Sequence, residues 1–210
     1  MFTLHEMPGW GSAIIELQLA HYGLPFDLVE TGDVFQDAEA RARLAAINPL
    51  AQVPTLVLPS GVLITESAAI TLYLADLTGR DDLVPGPQAP ERAAFLRWLI
   101  FIVANIYPTF TYADVPTRFV ADGGAAAAFR ERVDLYQKDL WRQVAHAVGE
   151  AGGPWFLGPR FSALDLYLAV MTRWRPREDW FAVEAPGILA IAKAARDRQS
   201  IAAAYARNFP

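Results

Sequence analysis

The chain has 210 residues, of which 53% are hydrophobic, so it is long and apolar enough to bury one large core or two smaller ones. Its formal net charge of −5 at pH 7 disfavours nucleic acid and anionic membrane as main partners, because both bind clustered positive charge. It contains no cysteine, which excludes disulfide bonds, thiolate metal sites and a cysteine nucleophile.

The first elements predicted along the chain alternate between strands and helices. Residues 2–5 favour a strand, and Ser12 lies where a helix N-cap is expected, ahead of a regularly spaced apolar series. A second strand is predicted over residues 26–30, and a polar helix rich in Ala and Arg over residues 37–46. The order strand, helix, strand implies a right-handed parallel crossover.

A β-hairpin and a helix are predicted next. Two short aliphatic runs, residues 52–58 and 62–65, are joined by a Pro-Ser-Gly turn, and β-branched residues followed by turn residues favour a hairpin. Glu66 and Ser67 then open a helical pattern that Gly79 ends. The predicted order of elements up to this point is βαβαββα.

Two features of this stretch suit the binding of a small peptide. Pro54 has no N–H to donate to a sheet, which makes it a candidate for a cis peptide bond in a turn that leaves the main chain of Val53 unpaired. Glu66 and Ser67 lie at a helix N-terminus, where unpaired N–H groups bind a carboxylate and a side-chain acid binds an amine. A ligand that carries both groups, such as an amino-acid head group, fits these residues.

Strand patterns disappear in the second half of the chain. Residues 80–90 are rich in Gly, Pro and Asp and predict a linker. The helix after it is expected to kink at Pro108, and Gly123-Gly124 is expected to break the pattern before a long helix. The apolar stripe predicted for that long helix consists of Phe129, Val133, Tyr136, Leu140 and Val144.

The most apolar part of the second half follows a capping signature. Ser162 and Asp165 have the spacing of a capping box, in which the acid reaches back to the N–H of the serine. Because the neighbouring residues are apolar, Asp165 is expected to be buried, fully hydrogen-bonded and structural. A last pair of helices is predicted from Pro186 onward.

The segments Gln52-Val53-Pro54 and Thr65-Glu66-Ser67 together resemble the glutathione-binding half of the cytosolic glutathione transferases. The resemblance implies a thioredoxin-like domain over residues 1–79, a linker over 80–90 and an all-helical domain over 91–210. It further implies that Val53 and Pro54 pair with the cysteinyl backbone of glutathione, and that Glu66 and Ser67 bind its γ-glutamyl group. Gln52 is a candidate for the ligand's backbone or glycyl end, with an ordinary surface residue as the alternative.

The resemblance also implies how the ligand would be activated. The thiolate of glutathione is the nucleophile, and a thiol with a pKa of about 8.5 is mostly protonated at neutral pH unless the site stabilises the anion. Ser12 is in line with the catalytic serine of many bacterial, theta-like and zeta-like relatives, while a simple N-cap is the alternative. Gly11 stands where beta-like bacterial members have cysteine. Trp10 could wall the thiol site or fill it.

The implied activity is conjugation of glutathione to small hydrophobic electrophiles, a detoxification reaction of a cytoplasmic homodimer. Tyr107 and Thr111 lie where the family's electrophile pocket is expected, although aromatic residues are more often core than pocket. The three histidines are isolated, so no metal site is predicted, and no apolar run approaches the ~20 residues of a membrane helix. The alternatives are a non-catalytic interaction protein and a glutathione-dependent isomerase or lyase of the same fold.

Overall fold

The computed structural model describes residues 1–121 and 123–210. Contacts divide the chain into two compact units, one of residues 1–84 together with 195–210 and the other of residues 85–194. The last sixteen residues therefore pack with the start of the chain, whereas a single helical domain was predicted over residues 91–210.

The first unit follows the predicted order βαβαββα. Its sheet has the strand order β2-β1-β3-β4, in which β1 is parallel to β2 and antiparallel to β3, and β3 is antiparallel to β4. The elements are β1 (Phe2–Glu6), α1 (Ser12–Tyr22), β2 (Phe26–Glu30), α2 (Ala38–Ala45), β3 (Thr55–Val57), β4 (Leu63–Ile64) and α3 (Ser67–Thr78).

The core of this unit lies between the sheet and the helices α1 and α3. In β1 every second residue is buried, as the two-residue period of a strand requires, and Leu4 pairs with Leu56 on β3. Helix α1 is buried on nearly all sides, and its polar Gln18 donates a hydrogen bond to Thr71 of α3 at 2.9 Å. This bond joins the two helices that begin at the predicted ligand residues.

The prediction that Ser12 is an N-cap is wrong. The N-cap of α1 is Gly11, Ser12 is the first helical residue, and no side chain caps this helix. The reason is that the hydroxyl group of Ser12 points back to the main chain of Met7 rather than forward along the helix. By contrast, the side chain of Asp37 caps α2 by accepting from the N–H groups of Glu39 and Ala40.

The second unit is helical throughout its regular elements. It contains α4 (Arg92–Phe101), a π-helical turn (Ile102–Ile106), α5 (Tyr107–Asp114), a 3₁₀ turn (Pro116–Arg118), α6 (Gly123–Ala151), α7 (Ala163–Met171), α8 (Arg177–Glu184) and most of α9 (Pro186–Arg196). Helix α9 begins at Pro186 as predicted, whereas α6 already begins at Gly123, where a break was expected. Helix α8 was not predicted.

The helical run continues through Pro108. The π-helical turn comes directly before it, and such a turn shifts the hydrogen-bond pattern so that the missing N–H of proline is tolerated. The resulting run Arg92–Asp114 has 23 residues and a mean hydropathy of 1.5, long and apolar enough to cross a membrane. The prediction that no run approaches this length is therefore wrong, although core helices of soluble proteins meet the same criteria.

The buried face of α6 differs from the predicted stripe. Leu140 and Val144 are buried as expected, but Tyr136 is 54% exposed, and its place is taken by Gln137. The amide of Gln137 donates to the hydroxyl of Thr109 at 2.5 Å, so a polar bond to α5 sets the phase of the helix. A pattern of apolar residues alone could not predict this.

The capping box of α7 is confirmed. Asp165 is 0% exposed and accepts hydrogen bonds from the N–H groups of Phe156, at 2.8 Å, and Ser162, at 2.7 Å. Burial raises the pKa of the Asp165 carboxyl group to about 7, while these hydrogen bonds act in the opposite direction. The acid is structural, as predicted, and ties the loop before α7 to the helix start.

Helix α10 (Ala202–Asn208) belongs to the first unit and packs against α1. The junction includes polar bonds, since Arg207 and Asn208 both bond the carboxylate of Glu16 on α1. Charged residues in a short C-terminal helix give no periodic signal of such docking. This helix was therefore predicted to belong to the second half of the chain.

Candidate functional site

The turn before β3 is held by one buried amide. The side-chain N–H₂ of Asn48 donates to the carbonyl of Gln52 and to the hydroxyl of Thr55, both at 3.0 Å, and Thr55 donates to Gln52 at 2.8 Å. The Val53–Pro54 peptide bond is cis, as predicted. The carbonyl of Gln52 is thus held inside the turn, while its side chain is exposed.

The main chain of Val53 is left open by this arrangement. Within residues 1–121 and 123–210, neither its N–H nor its carbonyl group has a hydrogen-bond partner. An unpaired N–H and carbonyl group next to a strand are suited to an extended peptide that adds to the sheet.

Glu66 has an unusual backbone conformation at the start of α3. Its φ is +64° and its ψ is +107°, a left-handed region that is costly for a residue other than glycine. Its exposed side chain makes no capping bond to the helix. Strained residues of this kind persist where the conformation has a use, and here it presents a free carboxylate beside an open helix end.

The N-terminus of α3 is available to an anion. The first bond that closes a helical turn runs from the N–H of Ile70 to the carbonyl of Glu66, so the N–H groups of Ser67, Ala68 and Ala69 point out of the helix end. The helix dipole adds positive potential there. A carboxylate of the ligand would meet these donors while an amine meets Glu66.

The hydroxyl group of Ser12 is buried and bonded to the main chain of Met7. Ser12 is 0% exposed, and its oxygen accepts from the N–H of Met7 at 3.1 Å and donates to the carbonyl of Met7 at 3.2 Å. Its hydrogen is thus directed into the protein. The main-chain N–H groups of Gly11 and Ser12, by contrast, have no acceptor among the residues that the structure describes.

Trp10, which comes shortly before α1, packs close to the Val53 turn. Its ring stacks on Phe35, with 4.9 Å between ring centroids and 28° between the planes. Trp10 and Val53 also pack against the same small core cluster, formed by Val34, Leu44 and Ala51. The structure therefore brings three of the predicted residues, Trp10, Ser12 and Val53, into one region of the first unit.

Tyr107 and Thr111 lie one turn apart on α5 in the second unit. The ring of Tyr107 makes edge-to-face contacts with Phe110, at 6.3 Å between centroids, and with Trp174, at 5.5 Å. Trp174 was not singled out in the sequence, because it follows the end of α7 and belongs to no periodic pattern. Met7 was missed for a similar reason, since its role depends only on its main chain.

No group of three His, Asp or Glu side chains could hold a metal ion in the part of the chain that the structure describes. The candidate residues supply instead main-chain groups, the carboxylate of Glu66 and two helix N-termini. These groups complement a small zwitterionic ligand with an extended backbone.

Comparisons with known proteins agree with these features. Residues 12–77 match a family model described as the N-terminal domain of glutathione S-transferase. The chain is 38% identical to the uncharacterized GST-like protein YncG of Escherichia coli K12 over 194 residues, and the match covers 92% of each chain.

Solved structures are similar over nearly the whole chain. A glutathione transferase from Methylococcus capsulatus is 28% identical with a TM-score of 0.79, and 98% of each chain is covered. A sphingomonad glutathione S-transferase in complex with glutathione is 27% identical with a TM-score of 0.75, covering 99% of this chain and 100% of the other. These structures confirm the predicted fold class, a thioredoxin-like N-terminal domain followed by a helical C-terminal domain.

Proposed function

Because the chain belongs to the glutathione transferase family, we propose that it is a glutathione S-transferase that binds glutathione and directs its thiolate at small hydrophobic electrophiles. One observation carries the proposal: the unpaired main chain of Val53 lies in the same unit as an open helix N-terminus flanked by the free carboxylate of Glu66. Together these groups complement a γ-glutamyl peptide.

Each part of glutathione has a candidate partner. The amine of the γ-glutamyl group pairs with Glu66, and its carboxylate meets the N–H and hydroxyl groups of Ser67 at the positive end of α3. The cysteinyl N–H and carbonyl pair with the main chain of Val53, beside Pro54. The exposed side chain of Gln52 is our candidate for the glycyl end.

The thiol would be activated by main-chain donors. The hydroxyl of Ser12 is occupied by Met7, whereas the N–H groups of Gly11 and Ser12 are unpaired at the positive end of α1. Lowering the thiol pKa by about two units requires about 2.7 kcal/mol of preference for the anion. One or two charge-assisted hydrogen bonds of about 1.5–3 kcal/mol each provide it. We therefore propose that Ser12 acts through its N–H group.

Trp10, Tyr107 and Thr111 stay our candidates for contacts to the electrophile. The rings of Trp10 and Tyr107 are half-buried, so each keeps an apolar surface that a hydrophobic molecule could cover. The family resemblance further leads us to propose a cytoplasmic homodimer.

A second candidate function is a glutathione-binding protein without transferase activity. The buried hydroxyl of Ser12 favours it, because it already donates to the carbonyl of Met7, as does glycine at position 11, because it has no side chain to donate. A substrate-specific isomerase or lyase would use the same peptide site with a different electrophile.

The test separates binding from turnover. Titration calorimetry with glutathione examines the peptide site, and conjugation of glutathione to a model aryl halide examines the chemistry. The proposal predicts saturable binding and a thiolate absorbance band of bound glutathione at neutral pH. Binding without that band or turnover would support the non-catalytic protein, and no binding at all would refute both.

A further inference from the structure

The C-terminal residues Arg207 and Asn208, here called the C-terminal clamp, bridge the two elements on either side of the Met7–Gly11 loop. The guanidinium of Arg207 donates to both oxygens of Glu6, the last residue of β1, at 3.2 Å each. It also donates to both oxygens of Glu16 on α1, at 2.8 Å through Nε and by a second bond through Nη2. One side chain thus fixes the strand end relative to the helix.

The clamp also holds the loop itself. The side-chain oxygen of Asn208 accepts from the N–H of Gly9 at 3.0 Å, and its N–H₂ group donates to Glu16 at 2.8 Å and to the carbonyl of Ala204 at 2.9 Å. Asn208 is only 5% exposed, so these bonds are shielded from water. The oxygen and the N–H₂ group of this amide are all hydrogen-bonded, and the partner of the oxygen is the N–H of Gly9 in the loop.

The packing around Gly9 is tight. Gly9 has a φ of +76°, and a Cβ atom at this position would lie 3.3 Å from the carbonyl oxygen of Asn208 and 3.6 Å from the ring of Phe209. The loop therefore has little room to shift while the C-terminal residues are in place. Gly9 precedes by two residues the first of the unpaired N–H groups at Gly11 and Ser12.

We propose that Asn208 is a positioning residue that, with Arg207, fixes the Met7–Gly11 loop so that the N–H groups of Gly11 and Ser12 point at the thiol. This inference rests on the proposed glutathione transferase function. It assigns thiol activation in part to residues about 200 positions away in the sequence, on a helix that packs against α1. Peptide binding and thiol activation are then separable by mutation.

Asn208 is a sharper probe than Arg207. Removal of Arg207 would leave the buried carboxylates of Glu6 and Glu16 facing each other without a cation, which threatens folding itself. Asn208→Ala removes the bond to Gly9 and leaves the guanidinium in place. Gln199→Ala is the matched control, because it also removes an amide from the C-terminal segment but at an exposed position.

The experiment measures the pKa of the thiol of bound glutathione from its thiolate absorbance as a function of pH, in the full-length protein. For Asn208→Ala we expect a thiolate fraction at pH 7 that is about three- to tenfold lower than in the wild type, a matching fall in kcat, and a glutathione Kd within about twofold. Gln199→Ala should match the wild type in all three quantities.

A purely structural role makes a different prediction. Asp82→Asn weakens a cluster with His21 and Arg80 elsewhere in the first unit, and it serves as a control for lost stability alone. If its thiol pKa rises as much as that of Asn208→Ala at equal loss of stability, positioning is refuted. Equal thiol pKa values in Asn208→Ala and Gln199→Ala would also refute it.

The outcomes distinguish the two proposals. Wild-type protein that binds no glutathione, or leaves its thiol pKa unchanged, refutes the proposed function and this inference with it. Wild-type protein that lowers the thiol pKa while Asn208→Ala does the same refutes only the inference. Should Asn208→Ala fail to fold, Asn208→Ser replaces it, and the same comparison with Gln199→Ala decides.

Discussion

The first turns of α3 and α7 use similar residues for different purposes. Each has a serine and an acid: Glu66 and Ser67 at α3, and Ser162 and Asp165 at α7. At α7 the serine and the acid satisfy each other's main-chain groups, and both are fully buried. At α3 the acid makes no capping bond and the helix end is open. A closed helix start stabilises the fold, whereas an open one is available to a ligand.

Helix α1 is intermediate between these two cases. The hydroxyl of Ser12 is satisfied by Met7, as at a closed start, but the N–H groups of Gly11 and Ser12 are unpaired, as at an open one. We therefore propose that the side chain of Ser12 contributes to stability and its main chain to function. We derive a separate prediction for each of these helix N-termini.

The largest effect is expected at α7. Asp165→Ala would leave the buried N–H groups of Phe156 and Ser162 without acceptors, at a cost of about 1–3 kcal/mol each. We expect the free energy of unfolding, measured in urea, to fall by about 3 kcal/mol or more. Asp165→Asn retains one acceptor oxygen and should lose less. If the free energy of unfolding of Asp165→Ala falls by less than about 1 kcal/mol, Asp165 does not cap α7 in the way described.

At α3 the effect should fall on ligand binding instead of stability. Glu66→Gln keeps the size of the side chain but removes the charge opposite the γ-glutamyl amine, which is worth about 1.5–3 kcal/mol, or about 10- to 150-fold in the glutathione Kd. Calorimetry provides the Kd, and urea unfolding should show little change.

The matched control lies on the same helix. Asp76→Asn makes the same change of charge near the exposed C-terminal end of α3 and should leave the Kd unaltered. Equal effects of the two substitutions would mean that the net charge of α3, and not the carboxylate of Glu66, controls binding.

The open start of α3 could be predicted from the sequence, because its signals are local. A hairpin, a proline at the start of a strand and an acid-serine pair lie within about twenty consecutive residues, and each has a short-range physical meaning. The capping box at Ser162 is equally local. Both predictions needed only residues that are neighbours along the chain.

The features that were missed depend on contacts between distant residues. The bonds from Arg207 to Glu6 join residues 201 positions apart, and no spacing rule reports them. The phase of α6 depends on a bond from Gln137 to Thr109 of another helix. The hydroxyl of Ser12 was assigned to a cap or to a ligand because its partner, the main chain of Met7, has no sequence signal. Residue type alone does not tell whether a polar group is already satisfied.

At α1 we expect a moderate loss of stability with little loss of activity. Ser12→Ala removes two hydrogen bonds to the main chain of Met7, so the free energy of unfolding should fall by about 1–2 kcal/mol. Turnover with an aryl halide should stay within about threefold, because the N–H of residue 12 is retained. Ser60→Ala, in the exposed hairpin turn, is the control for removing a serine hydroxyl. A loss of turnover of a hundredfold or more, with stability unchanged, would return the catalytic role to the hydroxyl.

The smallest effect is expected at α2, whose N-terminus is capped by the exposed side chain of Asp37. Hydrogen bonds from the N–H groups of Ala40 and Glu39 lower the pKa of Asp37, so the folded state favours its ionised form. The stability from this cap is therefore present above the unfolded pKa of about 3.9 and is lost as the pH falls through the lower folded value. Wild-type protein and Asp37→Asn should differ in thermal stability at pH 7 and converge toward pH 2. A constant difference between them over this range would mean that the cap acts through its geometry alone, independent of charge.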